Sequence, residues 1–307
     1  MLRIDEAISY KGHVDFLGGV DGVSSEYSGK TFYCDPKDGL PTNSGLDREH
    51  PRLEVQSVHD DLVVHGRGDV VKLIGFEETG HDFIENLVVT KGFGLIAGHP
   101  IGNARLPTVA PAAGIALDVR PGAFGFWLRD VRGAGVGVGG YGMKLACDGV
   151  QLVRPDLTAD TEAGLVLVGQ ASGEGKTGSG LRLIGGQVAE CGGNGIRQGG
   201  ATGKDIFATN VHILGTLFFG NGDADIEDEN EVGKTYFYQW IVSGMFMDRN
   251  KAEYLAMKGG LATQSAVVNS FFNDSGLNNT KIKIPAAGCG WINNYDSTGL
   301  VAQSAIT

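Results

Sequence analysis

The sequence predicts an all-β fold, a single-stranded right-handed parallel β-helix of stacked coils, and three observations predict it. Four segments repeat one pattern: LRLIGGQVAECGGNGIRQGG (181–200), VHILGTLFFGNGDADIEDE (211–229), WIVSGMFMDRNKAEYLAMKGG (240–260) and VVNSFFNDSGLNNTKIKI (267–284). Each reads as alternating apolar residues, a small residue, an apolar pair, a polar or glycine turn and a second short strand. The small residues, Gly185, Gly215, Gly244 and Ser270, fall 30, 29 and 26 residues apart. Glycine supplies 50 of the 307 residues, more than twice the usual ~7%, with hydrophobic residues at 42%; this is a folded chain with very many tight turns. A leucine-rich repeat would show L-x-x-L-x-L, which is absent, and a propeller blade needs ~40–50 residues.

The elements follow in order. RIDEAISY reads as a short amphipathic helix with Ile4, Ala7 and Ile8 on one face, the cap that a solenoid needs over its first coil. GHVDFLGG reads as a strand, so residues 1–22 are expected to hold the capping helix and first strand. Residues 23–68, rich in turn formers (DPKDGLPTNSGLDREHP), read as an irregular first coil and loop. Coils occupy 69–290, with FIENLVVTKGFGLIAG, FWLRDVRGAG and VQLVRPDLTADTEAGLVLVG fitting the period more loosely. Residues 291–307 are a C-terminal strand or tail, and 1–307 form one domain. Alternation places Leu181, Leu183, Val188 and Ile196 inward, then Val211, Ile213, Phe218 and Ile226, then Trp240, Val242 and Met247, with Arg182, Arg197, His212 and Glu227 outward.

One stretch competes with this reading. VRGAGVGVGGYG carries Gly135-x-Gly137-x-x-Gly140, the spacing of a dinucleotide-binding turn. Such a turn opens a helix, and the following MKLACDGVQLV alternates like another strand. The stretch is therefore expected to be a coil strand with Val136 and Val138 inward and Gly135, Gly137 and Gly139 outward. A bare outer face of this kind suits close approach by a neighbouring subunit or a glycan, so bulky residues at Gly135 and Gly137 are expected to disturb assembly or binding more than folding.

The net charge of −11 argues against nucleic acid, whose phosphates an acidic surface repels. No apolar stretch reaches ~18 residues, so no membrane insertion is expected. The first residues lack the apolar core of a signal peptide. Cys34, Cys147, Cys191 and Cys289 lie far apart without a C-x-x-C pair and read as buried thiols.

The strongest charge run is GDADIEDENE. Glycosidic cleavage needs two carboxylates, ~5 Å apart for retention or ~6.5–9.5 Å for inversion, and adjacent coils place like positions ~4.8 Å apart. Asp223, Asp225 and Glu227, with Glu190 at a turn one coil earlier, are the catalytic candidates. The same run offers oxygen ligands to calcium; it misses the nonapeptide calcium repeat by one position and occurs once, so no metal or other cofactor is expected. Lyase chemistry uses a base beside a neutralised uronate, for which Arg182, Arg197 and His212 are outward candidates; Arg197 opposite Glu227 also fits a plain cross-coil ion pair. Trp127 and Tyr238 are candidate sugar platforms, whereas Trp240 falls in the core. No serine sits in a G-x-S-x-G elbow.

The helix followed by V-D-F-L-G-G, and the run NVHILGTLFFGNGDADIEDE, resemble the pectate-lyase-like β-helix superfamily. Within it, the loose coils and the ending GCGWINNY are most similar to bacteriophage tailspike and receptor-binding proteins. The resemblance covers nearly the whole chain and is one of pattern. It implies a homotrimer in a virion tail, outside the cell, that binds and often cleaves bacterial surface polysaccharide, capsule or O antigen. Tailspikes usually carry an anchoring region ahead of the helix; none fits before Ile4, so the anchor is expected elsewhere. Two other readings stay open: a free-standing polysaccharide lyase, hydrolase or epimerase, and a structural or adhesive virion protein without catalysis.

Overall fold

The structure is a computed structural model. It describes residues 29–76, 80–92, 94–100, 105–159, 161–168, 178–198, 208–228, 239–248, 253–256, 264–274, 277–284 and 289–305. The expected N-terminal helix and the GHVDFLGG strand lie outside these residues.

The described strands form three sheets. Sheet A has ten strands: Thr31–Cys34, Val70–Gly75, Leu95–Pro100, Trp127–Arg129, Gln151–Val153, Arg182–Ile184, His212–Leu214, Ile241–Ser243, Ser265–Val268 and Cys289–Ile292. Sheet B has nine: Thr108–Val109, Arg132–Gly135, Asp156–Ala159, Gln187–Ala189, Leu217–Phe219, Phe246–Asp248, Phe271–Phe272, Tyr295–Asp296 and Gly299–Leu300. Sheet C has eight: Leu87–Val89, Leu117–Val119, Met143–Leu145, Leu165–Leu167, Ile196–Gln198, Ala224–Asp228, Glu253–Ala256 and Ile282–Lys283. The chain visits A, B and C in turn, and strands one coil apart pair in parallel. This is a parallel β-helix. Gly299–Leu300 pairs antiparallel with Tyr295–Asp296 and covers the last edge of sheet B, removing an open row of backbone donors and acceptors.

In-register stacking builds the core. In sheet A, Phe32, Val71, Ile96, Leu128, Leu152, Leu183, Ile213, Val242, Val267 and Trp291 form one inward column. Sheet C contributes Leu87, Leu117, Met143, Leu165, Ile196, Ile226, Leu255 and Ile282. Every residue expected inward from the repeat is buried. Within each column an inner side chain packs between the coils on both sides, so truncating one to alanine costs about 2–5 kcal/mol. All four cysteines are buried and free. Burial pushes the Cys147 and Cys191 thiols up to about 12 and Cys289 to about 11, so none is a ready nucleophile.

Corners between sheets are made by left-handed backbone. From A to B the corner residue is Asp130, Arg154, Gly185, Gly215, Gly244, Asn269 and Asn293 in successive coils, all at positive φ. The fourth small residue of the repeat is thus Asn269, not Ser270: Ser243 pairs with Val268, so Gly244 is matched by Asn269. Asparagine tolerates this conformation through its short polar side chain, which disguised it among the glycines.

Residues 29–68 carry the strand Thr31–Cys34 and a short helix among their turns. A helix, Val55–Asp61, covers the first edge of sheet C. Val55 and Val58 enter the core, and Gln56 replaces the missing strand: its Oε1 accepts from Val88 N–H at 2.6 Å and its Nε2 donates to Val88 O at 3.2 Å. The Glu85 carboxylate accepts the first helical N–H groups, from Val55 and Gln56, both at 2.8 Å. Lys91 caps the other end through the carbonyls of His59, Asp60 and Val63.

The glycine stretch takes the opposite phase to the one expected. Gly133 and Gly135 face inward, matched to Leu157 and Ala159 of the next coil. Val138 lies on a projecting turn and is 93% exposed. A Cβ on Gly135 would lie 2.4 Å from the Tyr141 backbone, and one on Gly133 2.6 Å from Gly142 O. The chain that approaches these glycines is therefore its own next segment. Gly137 and Gly139 hold the turn at φ 71 and 74°. No helix follows, and the next strand is Met143–Leu145.

Candidate functional site

The expected site residues divide between two faces and a corner. On the outer face of sheet C, Arg197 and Glu227 are in register. Arg197 reaches back to earlier coils: it pairs with Glu162 at 3.1 Å, donates to the Tyr141 hydroxyl at 3.0 Å, and its guanidinium sits 5.2 Å from the Tyr141 ring centroid. The pair is largely buried, with side-chain exposures of 17% and 30%, so the guanidinium is held in one orientation.

Glu162 and Asp223 occupy the same place in alternate coils. Leu165, Ile196 and Ile226 are in register, which aligns Glu162, Gly193 and Asp223 three residues earlier. Backbone bonds confirm the alignment: Gly193 N–H donates to Glu162 O at 2.9 Å, and Asp223 N–H to Gly193 O at 3.1 Å. The coil between the two carboxylates bears no side chain. A Cβ on Gly193 would sit 3.0 Å from Glu162 O and 3.5 Å from Asp223 Oδ2. The two backbones are separated by about twice the ~4.8 Å strand spacing.

The other acidic candidates are placed differently. Asp225 is fully buried and accepts from Asn221 Nδ2 at 2.7 Å, while Asn221 bonds to the backbone of Val188 and Cys191. Burial removes Asp225 from any set that meets a polymer at the surface; it ties the B–C corner together. Glu190 is exposed on a left-handed corner at φ 55°, and its counterpart one coil on is Gly220, three residues before Asp223. Tyr238 lies outside the described residues. Trp127, Arg182 and His212 stand on sheet A, in one outward column with Gln151 between the first two. They share a face with one another and not with Arg197. Burial and the Arg182 charge hold the His212 imidazole below its ordinary pKa. Among the described residues no group of three His, Cys, Asp or Glu side chains is placed to hold a metal ion, and no helix is long and apolar enough to cross a membrane.

Glu162 was missed in the sequence although its signal is there. Glu162-Ala-Gly-Leu, Gly193-Asn-Gly-Ile and Asp223-Ala-Asp-Ile are one repeated tetrad ahead of the sheet C strand. Tyr141, two coils from Arg197, had no local signal.

The A–B ridge changes character along the solenoid. In the earlier coils it is charged, with Arg154 gripping Asp130 through two bonds of 2.7 Å and Arg132 beside Asp156 at 3.7 Å. From Ile184 onward its three columns carry no charged residue. They are Ile184, Leu214, Ser243, Val268 and Ile292; the corner residues Gly185, Gly215, Gly244, Asn269 and Asn293; and Gln187, Leu217, Phe246, Phe271 and Tyr295. Phe246 and Phe271 stack at 5.4 Å, with Phe246 41% and Tyr295 45% exposed.

Fold and faces together define a parallel β-helix solenoid. No protein-family model and no curated protein matches the chain. Among solved structures it is similar to a GH136 lacto-N-biosidase from Eubacterium ramulus, with 10% identity, a TM-score of 0.42, and coverage of 87% of this chain and 56% of that one. The selenomethionine derivative of the same protein gives 12%, 0.39, and 87% and 63%. It is also similar to ORF18 of Geobacillus virus E2, with 10% identity, a TM-score of 0.42, and coverage of 75% and 53%. The chain thus spans between about half and two thirds of the length of these structures.

Proposed function

We propose that this chain is a tailspike-like, receptor-binding component of a phage virion that grips bacterial surface polysaccharide, capsule or O antigen. The observation that carries the reading is the Arg197 cluster on sheet C. A guanidinium fixed by Tyr141 and Glu162, with Asp223 and Glu227 on the next coil, offers an extended chain both donors and acceptors along a rigid surface. Rigidity matters because a weakly gripped polymer repays little ordering entropy. The virion assignment rests on the sequence resemblance, and self-association is supported by the charge-free A–B ridge: copies carrying −11 each repel elsewhere and meet at lowest cost there. The test is sedimentation with encapsulated cells and with capsule-stripped cells of the same strain; binding confined to the first supports the reading, and equal binding to both opposes it.

A second reading is favoured by the gap at Gly193. The carboxylates come from alternate coils with no side chain between them, and Asp223 Oδ2 reaches over Gly193 towards the Glu162 coil, so both can meet one sugar unit at this surface. Glu162, paired with Arg197, takes the general-base role, and Asp223 protonates the leaving oxygen, giving hydrolysis with inversion. Release of reducing ends, without absorbance at about 235 nm from an unsaturated uronate, distinguishes hydrolysis from lyase elimination.

A further inference from the structure

The corner leading from sheet C into sheet A takes a left-handed residue in six successive coils. In the first three it is glycine, Gly125, Gly149 and Gly180, at φ 69, 70 and 70°. In the next three it is Asn210, Gln239 and Gln264, at φ 57, 58 and 59°. Register fixes the equivalence, since Trp127, Gln151, Arg182, His212, Ile241 and Ala266 follow each corner by two residues. Glycine adopts this conformation freely, and a glutamine side chain is strained in it. The corner does not demand an amide: glycine makes the same turn, with coil-to-coil bonds from Gly149 N–H to Ser179 O and from Gly180 N–H to Thr209 O, both 2.8 Å.

The three amides border an open groove of about 370 Å³, lined by Asn210, His212, Gln239, Ile241 and Gln264. None of these described lining residues is charged at neutral pH, His212 being held below its ordinary pKa by burial and by Arg182. Ile241 is 38% exposed and gives the groove an apolar surface. Gln239 Nε2 donates to Gln264 Oε1 at 3.2 Å, which orients the two amides and leaves an oxygen on one and an NH2 on the other for a ligand. An amide that accepts beside an amide that donates matches the paired hydroxyls of a sugar, whose apolar face suits the isoleucine.

We propose that this sheet A groove is a second carbohydrate site, separate from the Arg197 face, that takes an uncharged sugar unit. It rests on the reading of the chain as a polysaccharide-binding protein. The two strained glutamines are kept where glycine serves upstream because they contact the sugar.

The test uses the whole chain and the double variant Gln239→Gly/Gln264→Gly, which gives these coils the corner of the three before them. Probes are oligosaccharides of neutral hexoses and N-acetylhexosamines, alongside uronate-containing ones of equal length. The parent is expected to bind at least one neutral probe. The double variant is expected to bind it about tenfold or more weakly, with Tm unchanged or raised. Neutral binding untouched by the double variant, a lower Tm in that variant, or exclusive binding of uronate probes each overturns the groove. Glycan binding that responds to Arg197→Ala and not to the double variant sinks the groove alone; a parent that binds no glycan sinks the polysaccharide reading as well.

Discussion

Glu162 and Asp223 flank Gly193 on alternate coils, joined through its backbone by hydrogen bonds of 2.9 and 3.1 Å. If the gap is where a glycosidic bond is cut, Glu162→Gln and Asp223→Asn each reduce reducing-end release by about 10²-fold or more. Gly193→Ala puts a methyl group 3.0 Å from the Glu162 carbonyl oxygen and 3.5 Å from Asp223 Oδ2, and is expected to reduce it similarly at some cost in Tm. Asp225→Asn tells the roles apart: it loosens the buried contact with Asn221, so it lowers Tm and spares turnover in the protein that stays folded.

Gly135 is packed against the Tyr141 backbone, so its substitution is a folding lesion. Gly135→Val is expected to destabilise the chain by about 3 kcal/mol or more, the upper range for overpacking, in thermal or urea unfolding. Val138→Asp on the exposed turn three residues away is expected to leave Tm within a degree or two. Equal, small effects at both positions would return Gly135 to an outer face.

His59 is 3% exposed; its Nδ1 lies 3.0 Å from the Asp60 carboxylate and its Nε2 accepts from Thr90 N–H at 3.2 Å. Burial outweighs the Asp60 contact and lowers its pKa below 6.5. The unfolded chain then binds a proton more readily than the folded one. Stability from this group is full above pH ~6.5 and is lost as the pH falls towards the lowered value. His212 acts in the same direction. The expected outcome is a Tm that declines as the pH falls below about 6.5, with the decline flattened in His59→Gln/His212→Gln; an unaltered slope in that variant contradicts the assignment.

Phe246 and Phe271 stack on the charge-free ridge. Phe246→Asp places a charge at the centre of the proposed contact between copies. Light scattering is expected to show an oligomer for the parent and a monomer for the variant, with Tm of the coils nearly unchanged. A monomeric parent removes the ridge as a subunit contact.

The solenoid was legible because its period and inward alternation are written in residues such as Leu183, Ile213 and Val242, whose spacing survives changes in loop length. Phase was harder where side chains are missing. At 131–142 the valines suggested an inward face, and the register with Leu157 and Ala159 and the close passage of Tyr141 show that the glycines hold it. The helix Val55–Asp61 was hidden because its order comes from Glu85 and Lys91, about thirty residues away. The acidic run drew attention as a block, yet alternation splits it: Asp225 turns into the interior while Asp223 stays at the surface. The partners that matter, Glu162 and Tyr141 for Arg197, come from one and two coils earlier. Stacking brings them together, and local spacing does not show it.

The central claim is that the Arg197 face grips polysaccharide. Its most direct test is calorimetric titration of the whole chain with purified capsule and O-antigen polysaccharides from a panel of strains, comparing parent and Arg197→Ala. Saturable binding to at least one polysaccharide, weakened about tenfold or more by Arg197→Ala with the fold intact, is the predicted result. Binding to none, or binding unaffected by the substitution, would contradict it.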